Sequence, residues 1–221
     1  MKKKIIIEMI GMPGSGKSYI QNYFLKKLKK YEIKKKDFYK EKKFKKIVNF
    51  ILFILRYPIF TYKNFFYIYF KLNNKKTKLL HYFLNEASLR ISNKYSNKHK
   101  IIINDEGFFY RSLEYFKLSE NNQDLSNYLN NIPEIDILIF VNTLKKNCLR
   151  RVSKRKNHNF KYDENEKKIF NEKTKLIQYI INFVQESKKV KIIRLDNNKL
   201  NIKSINKIVK IIRNDYENIA Y

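Results

Sequence analysis

The sequence predicts an α/β fold: a parallel sheet of about five strands covered on both faces by helices. Three observations carry this expectation. Short β-branched runs alternate with segments of helical spacing from one end of the chain to the other. Those runs are almost wholly apolar, as strands buried on both faces must be. A glycine-rich turn, Gly11-Met12-Pro13-Gly14-Ser15-Gly16-Lys17-Ser18, separates the first run from the first helical segment. At 221 residues the chain is long enough for one sizeable core, so a single domain spanning 1–221 is expected.

The first strand is Lys4-Ile5-Ile6-Ile7-Glu8-Met9-Ile10. The turn after it fits G-x-x-x-x-G-K-[ST], a phosphate-binding loop. Glycines let consecutive backbone N–H groups turn inward as an anion nest with no Cβ in the way. Lys17 then reaches the phosphates as a point charge, Ser18 offers a hydroxyl to Mg²⁺, and the following helix points its positive end at the same place. The chain has four glycines, and three of them lie in this loop. A chance match in so glycine-poor a sequence is improbable, and strand, loop and helix arrive in the required order.

After the first helix (Tyr19, Ile20, Phe24, Leu25, Leu28), Tyr31-Glu32-Ile33 reads as a short second strand. Residues 41–99 hold no glycine and one proline and read as helices. Ile47, Phe50, Ile51, Ile54 and Leu55 form an amphipathic stripe, and Pro58 ends that helix. An aromatic segment follows from Phe60 to Leu72, then a third from about Lys78 to Lys94 with Glu86 and Arg90. The longest apolar run falls short of the roughly 20 residues a spanning helix needs. Two readings of this stretch stand: an insertion that packs on the core and closes over a substrate, or a lysine-flanked face lying on a membrane.

Ile101-Ile102-Ile103-Asn104 is a buried strand ending in Asp105-Glu106-Gly107, where side chains point into the crevice of an α/β sheet. Phe108 to Phe116, with Arg111, resumes helical spacing. Pro133 precedes the clearest strand, Ile135 to Val141. A basic helix carries Arg150, Arg151, Lys154 and Arg155, and a polar break at Asn157-His158-Asn159 leads to a long helix over about 163–188, striped by Ile169, Leu176, Ile177, Ile180, Ile181 and Val184. Val190 to Leu195 is the last strand. Ser204 is the expected cap of a final helix with Ile205, Ile208, Val209 and Ile212 inward.

The net charge of +29 ordinarily points to nucleic acid or an anionic membrane. Only eight of the 49 basic residues are arginine, and the lysines are spread evenly among many Asn and Ile, a pattern that AT-rich codon usage also produces. A solvated lysine coat and a specific polyanion partner both remain open. The single Cys148 excludes an intrachain disulfide and suits a reducing cytosol, and His81, His99 and His158 are too scattered for a transition-metal site. Glu8 interrupts the basic-then-apolar start, which argues against a signal peptide. The expected location is cytoplasmic, with contact to the inner face of the membrane through 41–75 as the alternative.

Three features converge on one ligand. The loop holds a triphosphate. Asp105 and Glu106 can hold Mg²⁺ or take a proton from an acceptor hydroxyl. Arg151 and Arg155 lie one helical turn apart and can bridge a phosphoryl group in flight. Arg56, Arg90 and Arg111 are the candidate acceptor contacts.

On Gly11–Ser18, the strand ending in Asp105, Pro133-x-x-Asp136, Arg151-x-x-x-Arg155 and the closing strand and helix at Val190–Ile212, the chain resembles the P-loop nucleoside and nucleotide kinases, in their thymidylate-kinase-like branch. The resemblance implies a three-layer sandwich with strand order 2-3-1-4-5, the helical insertion 41–99 between strands 2 and 3 holding the acceptor, and a lid over 150–162. It implies MgATP as donor, metal ligands Ser18 and Asp105, and a nucleotide site formed by Gly11, Met12, Pro13, Gly14, Ser15, Gly16, Lys17, Ser18, Tyr19 and, in the Asp196–Asn201 loop near adenine, Asn197. Thymidylate kinases carry arginine directly after the strand-3 aspartate, where this chain has Glu106. Asp105-Glu106-Gly107 and Arg56-Tyr57-Pro58 look more like small kinase-like proteins of surface-polysaccharide gene clusters. The expected activity is ATP-dependent phosphoryl transfer to a sugar, glycan-precursor, nucleoside or nucleotide, with Lys17, Asp105, Glu106, Arg151 and Arg155 as catalytic residues. The alternatives are a nucleic-acid-associated ATPase or end kinase and a non-catalytic nucleotide-binding module at a membrane. A homodimer is compatible with each.

Overall fold

The structure is a computed structural model, and it describes residues 4–29, 33–35, 43–71, 76–95, 101–116, 122–155, 164–187, 190–199 and 201–220. Strand β1 (Ile5–Ile10) leads through the glycine loop into helix α1 (Lys17–Lys27) and the short strand β2 (Ile33–Lys35). The helical stretch comprises α2 (Lys43–Arg56), α3 (Pro58–Phe66) with a π-helical continuation over Tyr67–Lys71, and α4 (Lys76–Tyr95). Then come β3 (Ile101–Asn104), α5 (Phe108–Tyr115), α6 (Asn122–Asn131), β4 (Ile137–Asn142), α7 (Lys145–Arg155), α8 (Glu164–Ser187), β5 (Lys191–Asp196) and α9 (Ile202–Ala220).

The sheet is parallel, in the order β2-β3-β1-β4-β5. β1 is its centre because its isoleucines can be buried on both faces. Ile5, Ile7 and Met9 pack with Ile20, Phe24, Ile205, Ile208, Val209 and Ile212 under α1 and α9. Ile10 belongs to the opposite layer, an aromatic core of Phe53, Phe60, Phe83 and Phe108 extended by Ile177, Ile180, Ile181 and Val184 of α8. The start of β4 is pinned to β1 by Asp136, whose carboxylate accepts from Ile6 N at 2.7 Å while its own N–H donates to Ile6 O at 2.9 Å. That is the structural use of the Pro133-x-x-Asp136 pattern.

Several expectations are corrected. β2 is described over Ile33–Lys35, beyond the expected end at Ile33, and Tyr31 and Glu32 lie outside the described residues. The cap of α9 is Asn201, not Ser204: Asn201 Oδ1 accepts from Ser204 N at 3.2 Å. Helix α6 had no reading from sequence because its apolar residues Leu125, Tyr128 and Leu129 are few among polar ones. Ile169 is exposed, and so are Ile47, Ile51, Ile54 and Leu55. The stripe of α2 therefore faces outward except for Phe50, which packs edge-on against Phe83, and the helix is anchored by Phe53, Phe50 and the buried Asn49.

Candidate active site

The loop 11–16 joins the C-terminal end of β1 to α1, in the crevice where β1 lies between β3 and β4. Gly14 and Gly16 have φ of 80° and 98°, a left-handed backbone that other residues enter only with strain. The Ser15 carbonyl is gripped from three sides: Asn197 Nδ2 donates at 2.6 Å, Thr143 Oγ1 at 3.1 Å and Arg151 at 3.2 Å. Arg151 also donates to Gly14 O at 3.3 Å and to Asn197 O at 3.0 Å. The loop is thus bolted to α7 and to the segment after β5.

Lys17 donates to the carbonyls of Gly11 (2.8 Å) and Met12 (3.2 Å), and its ammonium lies 4.5 Å from the centre of the Tyr110 ring. Burial pulls its pKa down to about 8, with Asp105 and Glu106 opposing the shift. Burial pushes the Tyr110 hydroxyl up to about 12, so this neighbour stays uncharged. Ser18 Oγ donates to Asp105 Oδ2 at 3.0 Å, which brings together the two residues expected to hold the metal. Glu106 turns to Arg111 at 2.7 Å, and the Arg111 guanidinium stacks 4.1 Å from the Tyr82 ring centre.

The other candidates fall elsewhere. Arg90 is buried and donates to Glu8 (3.4 Å) and to the carbonyls of Pro133 (2.7 Å) and Glu134 (2.8 Å), tying α4 to the start of β4. Arg56 is exposed at the end of α2 and lines an open cavity of about 960 Å³ beside Asp136 and Val190, at the N-terminal edge of the sheet and away from the loop. Arg155 ends α7 near the expected lid, whose residues 156–162 lie outside the described residues. Tyr19 is exposed on the first turn of α1.

One residue had no functional reading in the sequence. Glu8 is fully buried in β1, and its carboxylate accepts from Phe109 N at 3.0 Å and meets Arg90. Burial raises its pKa to about 7, against the pull of Arg90. Nearby, the buried Glu86 accepts from Asn104 Nδ2 at 3.3 Å. The available signal was a carboxylate inside an isoleucine strand, which needs a partner to be tolerated there.

The arrangement fits a magnesium–polyphosphate ligand. Ser15 Oγ is buried in the loop with no hydrogen-bond partner among the described residues, and the Ser18–Asp105 oxygen pair is the hard donor set that Mg²⁺ takes. Among the described residues no cluster of three or more His, Cys, Asp or Glu could hold a metal unaided. A metal here would therefore rely on phosphate oxygens and water.

No protein-family profile and no curated protein sequence matches the chain. Solved structures do. Deoxyadenosine kinase from M. mycoides with bound dCTP superposes with a TM-score of 0.51 at 18% identity, covering 96% of this chain and 100% of that one. The same kinase with the products dCMP and a flexible dCDP gives 0.52 at 18% identity over 97% and 100%. With bound dATP it gives 0.50 at 19% over 95% and 100%. Along nearly its whole length this chain thus shares the fold of these deoxyadenosine kinase structures.

Proposed function

We propose that the protein is an ATP-dependent kinase that phosphorylates a hydroxyl of a small molecule lacking a phosphate of its own, a nucleoside or a sugar. The observation that carries this reading is the 3.0 Å hydrogen bond from Ser18 to Asp105, beside Lys17 at the mouth of a phosphate loop. The nucleoside-kinase fold of the neighbouring structures supports a nucleoside as acceptor. Glu106 after Asp105, where thymidylate kinases carry arginine, supports a neutral acceptor and the resemblance to kinase-like proteins of surface-polysaccharide clusters. Its pairing with Arg111 leaves the two nearly neutral together, so neither is a ready clamp for an acceptor phosphate.

In this reading Lys17 and the loop amides hold the polyphosphate charge. Ser18 and Asp105 would hold Mg²⁺, which when bound neutralises the phosphate oxygens. With Asp105 engaged there, Glu106 is left to orient the acceptor hydroxyl and take its proton. Arg151 keeps the loop rigid through the Gly14 and Ser15 carbonyls, and Arg155 follows it one turn later toward the lid.

The test is transfer of label from γ-labelled ATP to a panel of nucleosides, nucleoside monophosphates, sugars and lipid-linked sugars. Turnover with a nucleoside or free sugar, lost in Lys17→Ala and Asp105→Ala while circular dichroism is unchanged, is the expected result. Turnover only with monophosphates would overturn the neutral-acceptor reading. Near wild-type turnover in Lys17→Ala would overturn the role of the loop.

A further inference from the structure

We infer that helix α2 is a membrane-surface helix, which lays its apolar face on a bilayer containing anionic lipid. The geometry is unusual for a packed helix. Phe44, Ile47, Val48, Ile51, Leu52, Ile54 and Leu55 are all exposed, Phe44 at 77% and Leu55 at 73%. At the helical period these seven side chains occupy one arc of about 160°. The inward side holds Phe53, the half-buried Phe50 edge-on to Phe83 at 6.4 Å, and Asn49, whose buried amide nitrogen has no hydrogen-bond partner among the described residues. The helix is seated by two phenylalanines and a polar residue and turns seven further apolar side chains to solvent. A contiguous exposed apolar face of this size marks an interaction surface.

Charge selects the occupant. At the same period Lys43 stands on one border of the arc and Lys45 and Arg56 on the other. No aspartate or glutamate occurs between Glu41 and Glu86. Past Pro58 the exposure continues as an aromatic row: Tyr62 stacks on Phe66 at 6.2 Å, and Phe66 lies 4.5 Å from Phe70. Aliphatic side chains bordered by cations and followed by exposed aromatic rings match the acyl boundary and phosphate layer of a bilayer. A second copy of this chain would oppose cationic borders to cationic borders with no carboxylate in the segment to pair them. A polynucleotide would meet the cations and leave the aliphatic arc wet. Among the described residues no helix is long and apolar enough to cross a membrane, so the contact is with its surface. This inference does not depend on the reaction catalysed.

The chain has no tryptophan, so Ile51→Trp and Leu55→Trp are single reporters on the arc. The full chain carrying either is mixed with phosphatidylcholine vesicles, with or without phosphatidylserine, and followed by co-sedimentation, emission and quenching by brominated acyl chains. Expected are binding to the anionic vesicles only, a blue shift, and quenching. The double variant Ile51→Glu/Leu55→Glu, altered at solvent-facing positions, should bind at least about tenfold more weakly with its melting temperature unchanged. The inference is overturned by no binding to anionic vesicles, by binding without quenching, or by undiminished binding of the double variant. It is equally overturned if the reporter shifts on self-association in sedimentation analysis or on adding polynucleotide, with vesicles having no effect.

Discussion

The carboxyl group of Glu8 fills the space that a side chain at residue 107 would need. A Cβ built on Gly107 would overlap the Glu8 carboxyl carbon and crowd its oxygens. The backbone at Gly107, with φ of −73° and ψ of −169°, is open to any residue, so glycine stands here for room alone. The gap lets Glu8 accept the Phe109 N–H at 3.0 Å and so receive the first turn of α5. A buried carboxylate in the central strand therefore seats the Asp105-Glu106-Gly107 turn of the candidate site.

Gly107→Ala should destabilise the protein by about 1–3 kcal/mol, the usual cost of forcing extra volume into a packed site. Urea titration measures it. The clash is with one side chain, so in a Glu8→Ala background the same change should cost less than about 0.5 kcal/mol. An equal cost in both backgrounds would mean that something other than Glu8 occupies the space.

Glu8 also sets a pH dependence. Its pKa is raised from 4.5 to about 7 in the folded chain, chiefly by burial. The folded state thus holds a proton that the unfolded chain releases, so this contribution is present in full below pH 4.5 and is lost as pH rises through 7. A shift of that size corresponds to about 3 kcal/mol. Glu8→Gln cannot titrate, and its stability measured across this window should lack that decline.

How far the sequence discloses this protein depends on whether a pattern has one physical solution. Gly11–Ser18 does, because a strand, three glycines and a lysine before a helix can hardly be assembled otherwise, and the isoleucine runs of β1 and β3 define the buried strands. The outward turn of α2 was not legible. Periodicity shows that Ile47, Ile51 and Leu55 share a face but is silent on whether that face meets the core, and here Phe53, with Phe50 and Asn49 beside it, supplies the anchor. The site is divided in the same way. Asp105 and Ser18, each placed by a strand end or a motif, do meet, while Arg56 and Arg90 were named by residue type alone and sit away from the loop. Asn201 outranks Ser204 as a cap because the helix begins at Ile202, three residues earlier than its apolar stripe suggests.

Lys17 makes nucleotide binding proton-linked. Its pKa is pulled from 10.5 down to about 8 by burial, so between those values the folded apo-protein carries fewer protons than the unfolded chain and gains stability as pH rises. A polyphosphate beside the ammonium favours its charged form and restores the higher pKa. ATP binding at pH 8.5 should therefore take up a proton, seen in calorimetry as a binding enthalpy that varies with the ionisation enthalpy of the buffer. Lys17→Met should abolish that variation.

Asn197 holds the phosphate loop from outside, through the Ser15 carbonyl between Gly14 and Gly16. Its side-chain amide gives Ser15 O the shortest of three hydrogen bonds, and its carbonyl receives Arg151, so it links loop, α7 and β5 at once. Asn197 N donates to Asn142 O at 2.8 Å, which fixes the residue through its backbone whatever its side chain. Asn197→Ala therefore removes only the amide and leaves Arg151 and Thr143 on the same carbonyl. Losing one buried hydrogen bond costs about 1–2 kcal/mol, which corresponds to a five- to thirtyfold rise in the Kd for ATP. Asn197→Asp should weaken binding further, because it sets a carboxylate against the Ser15 carbonyl. An unchanged Kd in Asn197→Ala would show that Arg151 and Thr143, together with the glycines, hold the loop without this amide.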